Sequence, residues 1–428
     1  MAVYERIRFG RGFYIKNDTF EIKPFLFVEV PRTIVITSIQ PWDVGIGSNC
    51  KNIALELSKE FRVLYVNPPL DLKYFIFPKK APNRESLDKR KEMRFAGANN
   101  IIQPNDNLRV VTPTFFNRSI NKLPGFIFDI FNKWTNKKLA NTISLTLKKL
   151  GWNDGEFGVF SDSDMFRSFY LKDYLAPQFF AYYMRDNLMQ VPFWQKHGGR
   201  YESKFTSKAD ICFANSPYLR DILAQWNTNS HYIGQGCDTD VFAQCTTTAD
   251  SLEKDDRPLV GYLGFHTSSR LDIQLLEDLC TARTDLRFAF VGPTDQDFDQ
   301  SKLHHLDNVD FYGPQPPEEL ATWVHGFDVC LNPQVVNGLT IGNYPRKIDE
   351  YLAAGKPVIA TTTPTMEIFK DHVYLGATWK DYSKLIDTAL AENTPEKRQK
   401  SMEFASAHTW KNSVDQMLTH LKDHDSKN

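Results

Sequence analysis

Apolar residues fall along this chain in short runs that alternate with longer amphipathic stretches. Thr33-Ile-Val-Ile-Thr-Ser38 is a β-branched run of the kind that forms a strand buried on both faces. A loop with Gly45 and Gly47 follows, then a helical pattern from Asn49 to Glu60 with Ile53, Leu55 and Leu57 apolar. A second run, Arg62–Val66, completes a strand–helix–strand unit. Further strands are predicted at Leu108–Thr112, Phe157–Phe160, Gln178–Tyr183, Ile211–Ala214 and His231–Ile233, with helical patterns between them. Thr246–Asp256 is polar and charged and reads as a linker. The alternation then restarts. Strands are predicted at Leu259–Leu263, Leu286–Val291, Val309–Tyr312, Val329–Asn332 and Pro357–Ala360, and helices at Leu271–Ala282, Glu318–His325 and Lys347–Ala354.

Strands alternating with helices imply parallel sheets covered on both faces. The fold class read from this pattern is α/β, with two Rossmann-like domains, 33–245 and 257–405, flanking a central cleft. Ligands of such sheets bind beyond the carboxyl ends of the strands. Residues 1–32 form an aromatic and basic extension that the pattern does not assign. Pro395–Asp423 is amphipathic and helical, interrupted at His408-Thr-Trp410. Its last part, 406–428, is expected to pack back across the first domain.

Composition narrows the function. The chain has 428 residues, 42% apolar and 24% charged, with a net charge of −1. That balance is ordinary for a globular protein and gives no reason to expect a nucleic-acid partner. The charge is uneven, however. Between Asp71 and Leu150 stand 16 Lys and Arg against 6 Asp and Glu. Phe126–Leu150 within that stretch reads as an amphipathic helix carrying Lys133, Lys137, Lys138, Lys148 and Lys149. It is either an ordinary packed helix with a solvated face or a face that rests on an anionic membrane. The six cysteines form no C-x-x-C pair and are expected to be reduced, buried thiols. The first twenty residues lack the apolar core of a signal peptide, and no run of about 18 apolar residues occurs. A cytoplasmic protein is expected, able to work at the inner face of the membrane.

The densest candidate chemistry is Asn343-Tyr-Pro-Arg-Lys347-Ile-Asp-Glu350, where a loop with Gly338 and Gly342 leads into a helix. Amides at a helix start suit a diphosphate. Lys347 in the first turn opposes the helix dipole, which makes sense if it faces phosphate. Glu350, one turn on, could accept hydrogen bonds from two ribose hydroxyls. The plain alternative is a capping loop with a surface ion pair. Trp42-Asp43-Val-Gly45-Ile-Gly47-Ser48-Asn49 places a glycine-rich loop after the first strand. It fails as a dinucleotide fingerprint, because Cys50 and Asn67 stand where glycine and an acid are needed. Tyr183-Met-Arg185-Asp186-Asn187 follows a strand end and should face the cleft. Asp186, then Asp43, are the candidates for a general base. Asp162-Ser-Asp164 reads as helix capping rather than a metal motif.

The 345–358 block resembles the nucleotide-sugar site of GT-B glycosyltransferases, specifically the family-4-like group (glycosyltransferase group 1) that contains teichuronic-acid-type enzymes. Pro345, Lys347, Glu350, Tyr351, Leu352, Ala353, Gly355, Lys356, Pro357 and Val358 all match its pattern. Gly261-Tyr-Leu-Gly264 with Arg270-Leu-Asp272, Val291-Gly-Pro293, Asn308 to Gly313, Phe327 to Pro333, and Gly236-Cys-Asp238 with Phe242 are similar to further segments of the family. The order of these segments carries the resemblance. Two positions depart: Gly342 stands where many members have a first glutamate, and Phe265 where a basic residue is common.

The resemblance implies a metal-independent hexosyltransferase that needs no cofactor and uses a nucleoside-diphosphate sugar as donor. The acceptor would be a saccharide or lipid-linked, in surface polysaccharide synthesis, and the anomeric configuration retained. The donor would be bound by Glu350, Lys347, Arg270, Gly342, Asn343, Arg346 and Gly264. Gly45, Gly47, Ser48, Asn49, Arg185 and Asn187 would line the acceptor and phosphate side. A nucleotide-sugar epimerase and a non-catalytic nucleotide-sugar binder are the alternatives.

Overall fold

A computed structural model describes residues 30–43, 48–81, 84–95, 100–118, 120–252 and 255–425. Gly45, Gly47 and most of the 1–32 extension lie outside the described residues.

Fourteen strands among these residues form two sheets. The first comprises β1 (Thr33–Ser38), β2 (Arg62–Val66), β3 (Ile101–Asn105), β4 (Leu108–Val111), β5 (Phe157–Asp162), β6 (Phe179–Met184), β7 (Ile211–Ala214) and β8 (Ser230–Tyr232). Their spatial order is β3-β4-β2-β1-β5-β6-β7-β8. The second comprises β9 (Leu259–Leu263), β10 (Arg287–Val291), β11 (Val309–Gly313), β12 (Val329–Asn332), β13 (Val358–Thr361) and β14 (Tyr374–Gly376), in the order β11-β10-β9-β12-β13-β14. All pairings are parallel except β3 with β4.

The apolar runs explain the parallel strands. Every residue of β1 and of β6 is buried, as expected when helices cover both sheet faces. Two strands were not visible in the sequence. β3 (IIQPN) is mostly exposed and contains a proline, which an edge strand tolerates because one row of its amides is unpaired. β14 has only three residues at the other sheet's edge.

The strand order reverses between β1 and β5 in the first sheet and between β9 and β12 in the second. The carboxyl ends at these switch points are where α/β sheets hold ligands.

The domain boundary differs from the sequence reading. The helix Thr239–Ala243 was assigned to the first domain, but its Phe242 is buried with Leu259, Ile348 and Leu352 in the second-domain core. Ala249 and Leu252 pack partly against the same core. The chain therefore crosses near Gly234–Asp238, and residues 246–252 run along the second domain.

The return crossing is at His408. Helix Pro395–Ser406 belongs with the second domain, burying Ala405 there, whereas Trp410, Val414, Met417 and Leu421 of helix Trp410–Asp425 are buried in the first-domain core. The two crossings are tied together: the Cys237 amide donates to the His408 carbonyl (2.9 Å) and Trp410 Nε1 donates to Asp238 Oδ1 (3.1 Å). All six cysteines are free, and five are buried. Among the described residues no helix is long and apolar enough to cross a membrane.

Candidate functional site

The second-domain half of the site is built on the end of β9 and on helix Lys347–Ala353. Tyr351, buried on this helix, accepts from the Leu263 amide at 2.8 Å and so fixes helix to strand end. One turn earlier, Lys347 Nζ lies over the Tyr262 ring, 4.0 Å from its centroid, and donates to the Tyr262 hydroxyl. Gly264 follows the strand with φ +142°, a conformation side chains avoid, and a Cβ there would stand 2.8 Å from Lys347 Nζ. Lys347 thus sits directly beneath a bare backbone turn at the mouth of the sheet. Burial pushes its ammonium down to about 7, against the opposing pull of Glu350 and with help from Arg270 and Arg346. A lysine so placed gains a great deal from an arriving anion.

Glu350 lies on the same face of the helix, its Oε1 accepting from Arg346 Nε at 3.1 Å. The Arg346 side chain is partly exposed and that of its partner Glu350 is more deeply buried. Arg270 comes from the turn after β9 and reaches across the cleft, with Nη2 3.7 Å from Asp186 Oδ1 of the first domain.

The first-domain half lies at the ends of β1, β5 and β6. Asp162, fully buried, accepts from Ser38 Oγ (2.7 Å) and Arg185 Nε (2.9 Å). Arg185 also lies 3.9 Å from Asp186. Asp164 accepts from the Arg167 amide and from Arg167 Nε (3.0 Å), holding a turn rather than the helix start expected from the sequence. The Asp43 carboxylate oxygens are buried and make no hydrogen bond among the described residues, and Arg90 Nε stands 3.9 Å away. Among the described residues, no three or more His, Cys, Asp or Glu could together hold a metal ion.

Residues 259–391 match the model of the family described as glycosyl transferases group 1. This segment is a group 1 glycosyltransferase domain. A stretch of 182 residues, 40% of the chain, is 27% identical to TuaH of Bacillus subtilis, assigned as a teichuronic acid biosynthesis glycosyltransferase. That stretch spans 46% of TuaH, so the match covers about half of that relative. Sucrose-phosphate synthase from Thermosynechococcus elongatus superposes with a TM-score of 0.63 at 16% identity, over 93% of this chain and 100% of that one. Anabaena Alr3699/HepE in complex with UDP-glucose gives 0.61 at 14% identity, over 91% and 98%. These likenesses establish the two-domain GT-B fold.

Within the group 1 domain, the structure brings Lys347, Glu350, Arg346, Gly264 and Arg270 to one place. It does not open the backbone amides expected to cradle phosphate. The Asn343 amide donates to the Thr340 carbonyl (3.0 Å), and those of Arg346, Ile348, Asp349 and Glu350 are also taken up locally. Gly342 packs against the first domain, its carbonyl accepting from Ser216 Oγ at 2.7 Å. The reading of Asn343 as a phosphate donor is therefore corrected, since its amide is already taken, and the turn at Gly342 is an interdomain contact.

Two residues expected on the acceptor side are structural. Ser48 caps helix Asn49–Leu57 through the Lys51 amide, and Asn49 pairs with Gln235, each amide donating to the other (2.7 and 3.0 Å). Arg185 serves Asp162 more closely than the cleft. Asn187 begins the short turn Leu188–Gln190 beside Asp186.

Sequence reasoning missed Tyr262, Arg90, Arg167 and the trio Tyr344–Asp349–His408. In the last, Asp349 accepts from the Tyr344 hydroxyl (2.8 Å) and pairs with His408 Nδ1 (2.6 Å), bracing the donor helix against the return crossing. Tyr262 alone had a local signal, standing two residues before the glycine that ends its strand.

Proposed function

We propose that the chain transfers a hexosyl unit from a nucleoside-diphosphate sugar to a saccharide or lipid-linked acceptor during surface polysaccharide synthesis. The observation that carries this reading is the placement of a half-buried Lys347 under the bare turn at Gly264, with Glu350 one helical turn away and Arg270 opposite. In this reading Lys347 and Arg270 hold the diphosphate and Glu350 accepts from the ribose hydroxyls. The first domain presents the acceptor beside Asp43 and Asp186. The solved HepE complexes with UDP and UDP-glucose make uridine nucleotides the first donors to test.

The acceptor oxygen bonds to the anomeric carbon as the bond from that carbon to the phosphate oxygen breaks. Lys347 and Arg270 meet the charge that grows on the departing diphosphate, so the step calls on no cofactor. Asp186 faces two guanidiniums, not an open hydroxyl position. That arrangement favours retention, in which the leaving phosphate itself takes the acceptor proton.

A thermal-shift panel of nucleoside diphosphates and their sugars tests the site, because a ligand of the native state raises its stability. At least one uridine, guanosine or thymidine diphosphate should raise Tm, and Glu350→Ala should reduce that shift by about tenfold in affinity or more. No response from any nucleotide, or an undiminished response in Glu350→Ala, would overturn the assignment.

A further inference from the structure

Half of the exposed large apolar side chains lie on one face of the first domain. Sixteen such residues stand exposed among the described residues, and eight of them fall within 72–77, 126–134 and 193. The outermost are Ile76 (57%), Phe126 (69%) and Ile130 (65%). Phe126, Ile130 and Trp134 are spaced by four on helix Gly125–Leu150 and form one stripe, while Phe128, Asn132, Leu139 and Ile143 of the same helix are buried. The stripe is therefore surplus to the core.

The three segments are joined into one surface. Phe75 meets Phe116 with ring centroids 4.9 Å apart. Arg118 lies over both Phe131 and Trp134, and Lys138 lies 3.8 Å from the Trp134 centroid and 5.9 Å from Phe115. Asn121 donates to the Phe193 carbonyl at 2.8 Å, and Lys196 to the Lys122 carbonyl at 3.0 Å.

The surface is strongly cationic. Residues 71–79, 114–138 and 192–196 hold eight Lys and Arg against two Asp. One of the two, Asp129, is taken by Arg200 and Tyr201, and Asp71 caps a helix start. Bulky apolar side chains interleaved with unopposed lysines are matched by an interface that offers negative charge outside and hydrocarbon just beneath. A protein partner would have to supply both at once over three separate segments.

Its place in the fold gives the surface a direction. Its segments follow the carboxyl ends of β2, β4 and β6, the same sheet edge that carries Asp162, Arg185 and Asp186 at the cleft. We propose that this face docks on an anionic lipid bilayer, with Ile76, Phe77, Phe126, Ile130, Trp134 and Phe193 entering the headgroup region and the cleft opening toward the membrane. That the docked orientation serves a lipid-borne acceptor rests on the transfer proposed above; the docking itself does not.

Vesicle flotation with the full chain tests the docking without donor or acceptor, so a failed transfer assay leaves it standing and the reverse. The chain should float with phosphatidylglycerol-containing vesicles and not with pure phosphatidylcholine. Lys133→Gln with Lys137→Gln should weaken partition about tenfold or more, and Phe126→Ser with Ile130→Ser by a similar factor. All four positions are exposed, and an unchanged Tm confirms that the variants fold. Absence of flotation with anionic vesicles overturns the proposal. So does flotation that both variants retain, or lipid-free self-association that the same variants abolish, which would make the face a protein interface.

Discussion

Arg270 of the group 1 domain and Asp186 of the first domain face one another across the cleft, guanidinium nitrogen to carboxylate oxygen at 3.7 Å. Both are partly exposed, so the pair contributes at most about 1 kcal/mol to holding the domains together. Its importance is chemical. On the proposed reading, a diphosphate arriving at Arg270 competes with Asp186 for it.

This competition gives opposite expectations for the two partners. Arg270→Ala should weaken donor binding about tenfold to a hundredfold, the loss of one charged contact to phosphate. Asp186→Asn should leave nucleotide affinity unchanged or improved. If transfer proceeds with retention, Asp186→Asn should also lower kcat by less than about tenfold. A general base would cost 10²–10⁴-fold on removal. Steady-state kinetics, with the anomeric configuration of the product read by NMR, separate the two: a loss in the general-base range with an inverted product would eliminate the retaining reading.

Lys347 should make nucleotide binding depend on pH. Its ammonium, pushed down to about 7 by burial, is charged below that value in the free protein. Affinity for a nucleoside diphosphate should therefore hold below pH 7 and decline as pH rises through it, and Lys347→Met should flatten the profile. Stability carries the opposite sign. The unfolded chain keeps this lysine protonated up to about 10.4, so between 7 and that value it binds more protons than the folded chain, and stability rises with pH through this window. Lys347→Met should raise the nucleotide-free Tm most at pH 6, while shrinking the shift that nucleotide produces. Calorimetry at pH 6 and 9 checks both signs.

How much of this was legible beforehand depends on the range of each interaction. The runs at Thr33–Ser38 and Leu259–Leu263 announced buried parallel strands, because alternation and branching are local. Lys347 and Glu350 announced themselves through spacing on one helix. The turn at Gly342–Asn343 misled because a glycine before a helix looks the same whether its amides meet a ligand or a neighbouring domain. Ser216 and Tyr218, which decide the matter, are over a hundred residues away. The boundary was misplaced for a related reason: the stretch after Cys245 is mostly polar, and the few apolar residues that show which core it serves, Phe242, Ala249 and Leu252, are scattered.

Glu202 predicts a second pH effect, unrelated to the site. It is buried on helix Pro192–Lys208, Oε1 has no hydrogen-bond partner, and burial pushes the carboxyl up to about 7. The folded chain binds the extra proton between about 4.3, the unfolded value, and 7. Stability therefore falls as pH rises through that interval, by about 4 kcal/mol once it is crossed. Glu202→Gln should raise Tm clearly at pH 8 and hardly at pH 5. Equal effects at both would mean the carboxylate finds a partner.

Gly342 accounts for one departure from the family pattern in physical terms. Related sequences often carry a glutamate here, yet a Cβ at Gly342 would lie 2.2 Å from Tyr218 Cδ1, and the carbonyl is already held by Ser216. No side chain fits while the domains are in contact and Tyr218 keeps its ring in place. Gly342→Glu should consequently loosen the interdomain contact and lower Tm, without strengthening donor binding. Tyr218→Ala removes the obstructing ring, so the double variant should recover part of the stability lost by Gly342→Glu alone. A double-mutant cycle on Tm measures the coupling. Additive effects would show that the glycine is kept for some reason other than the tyrosine opposite it.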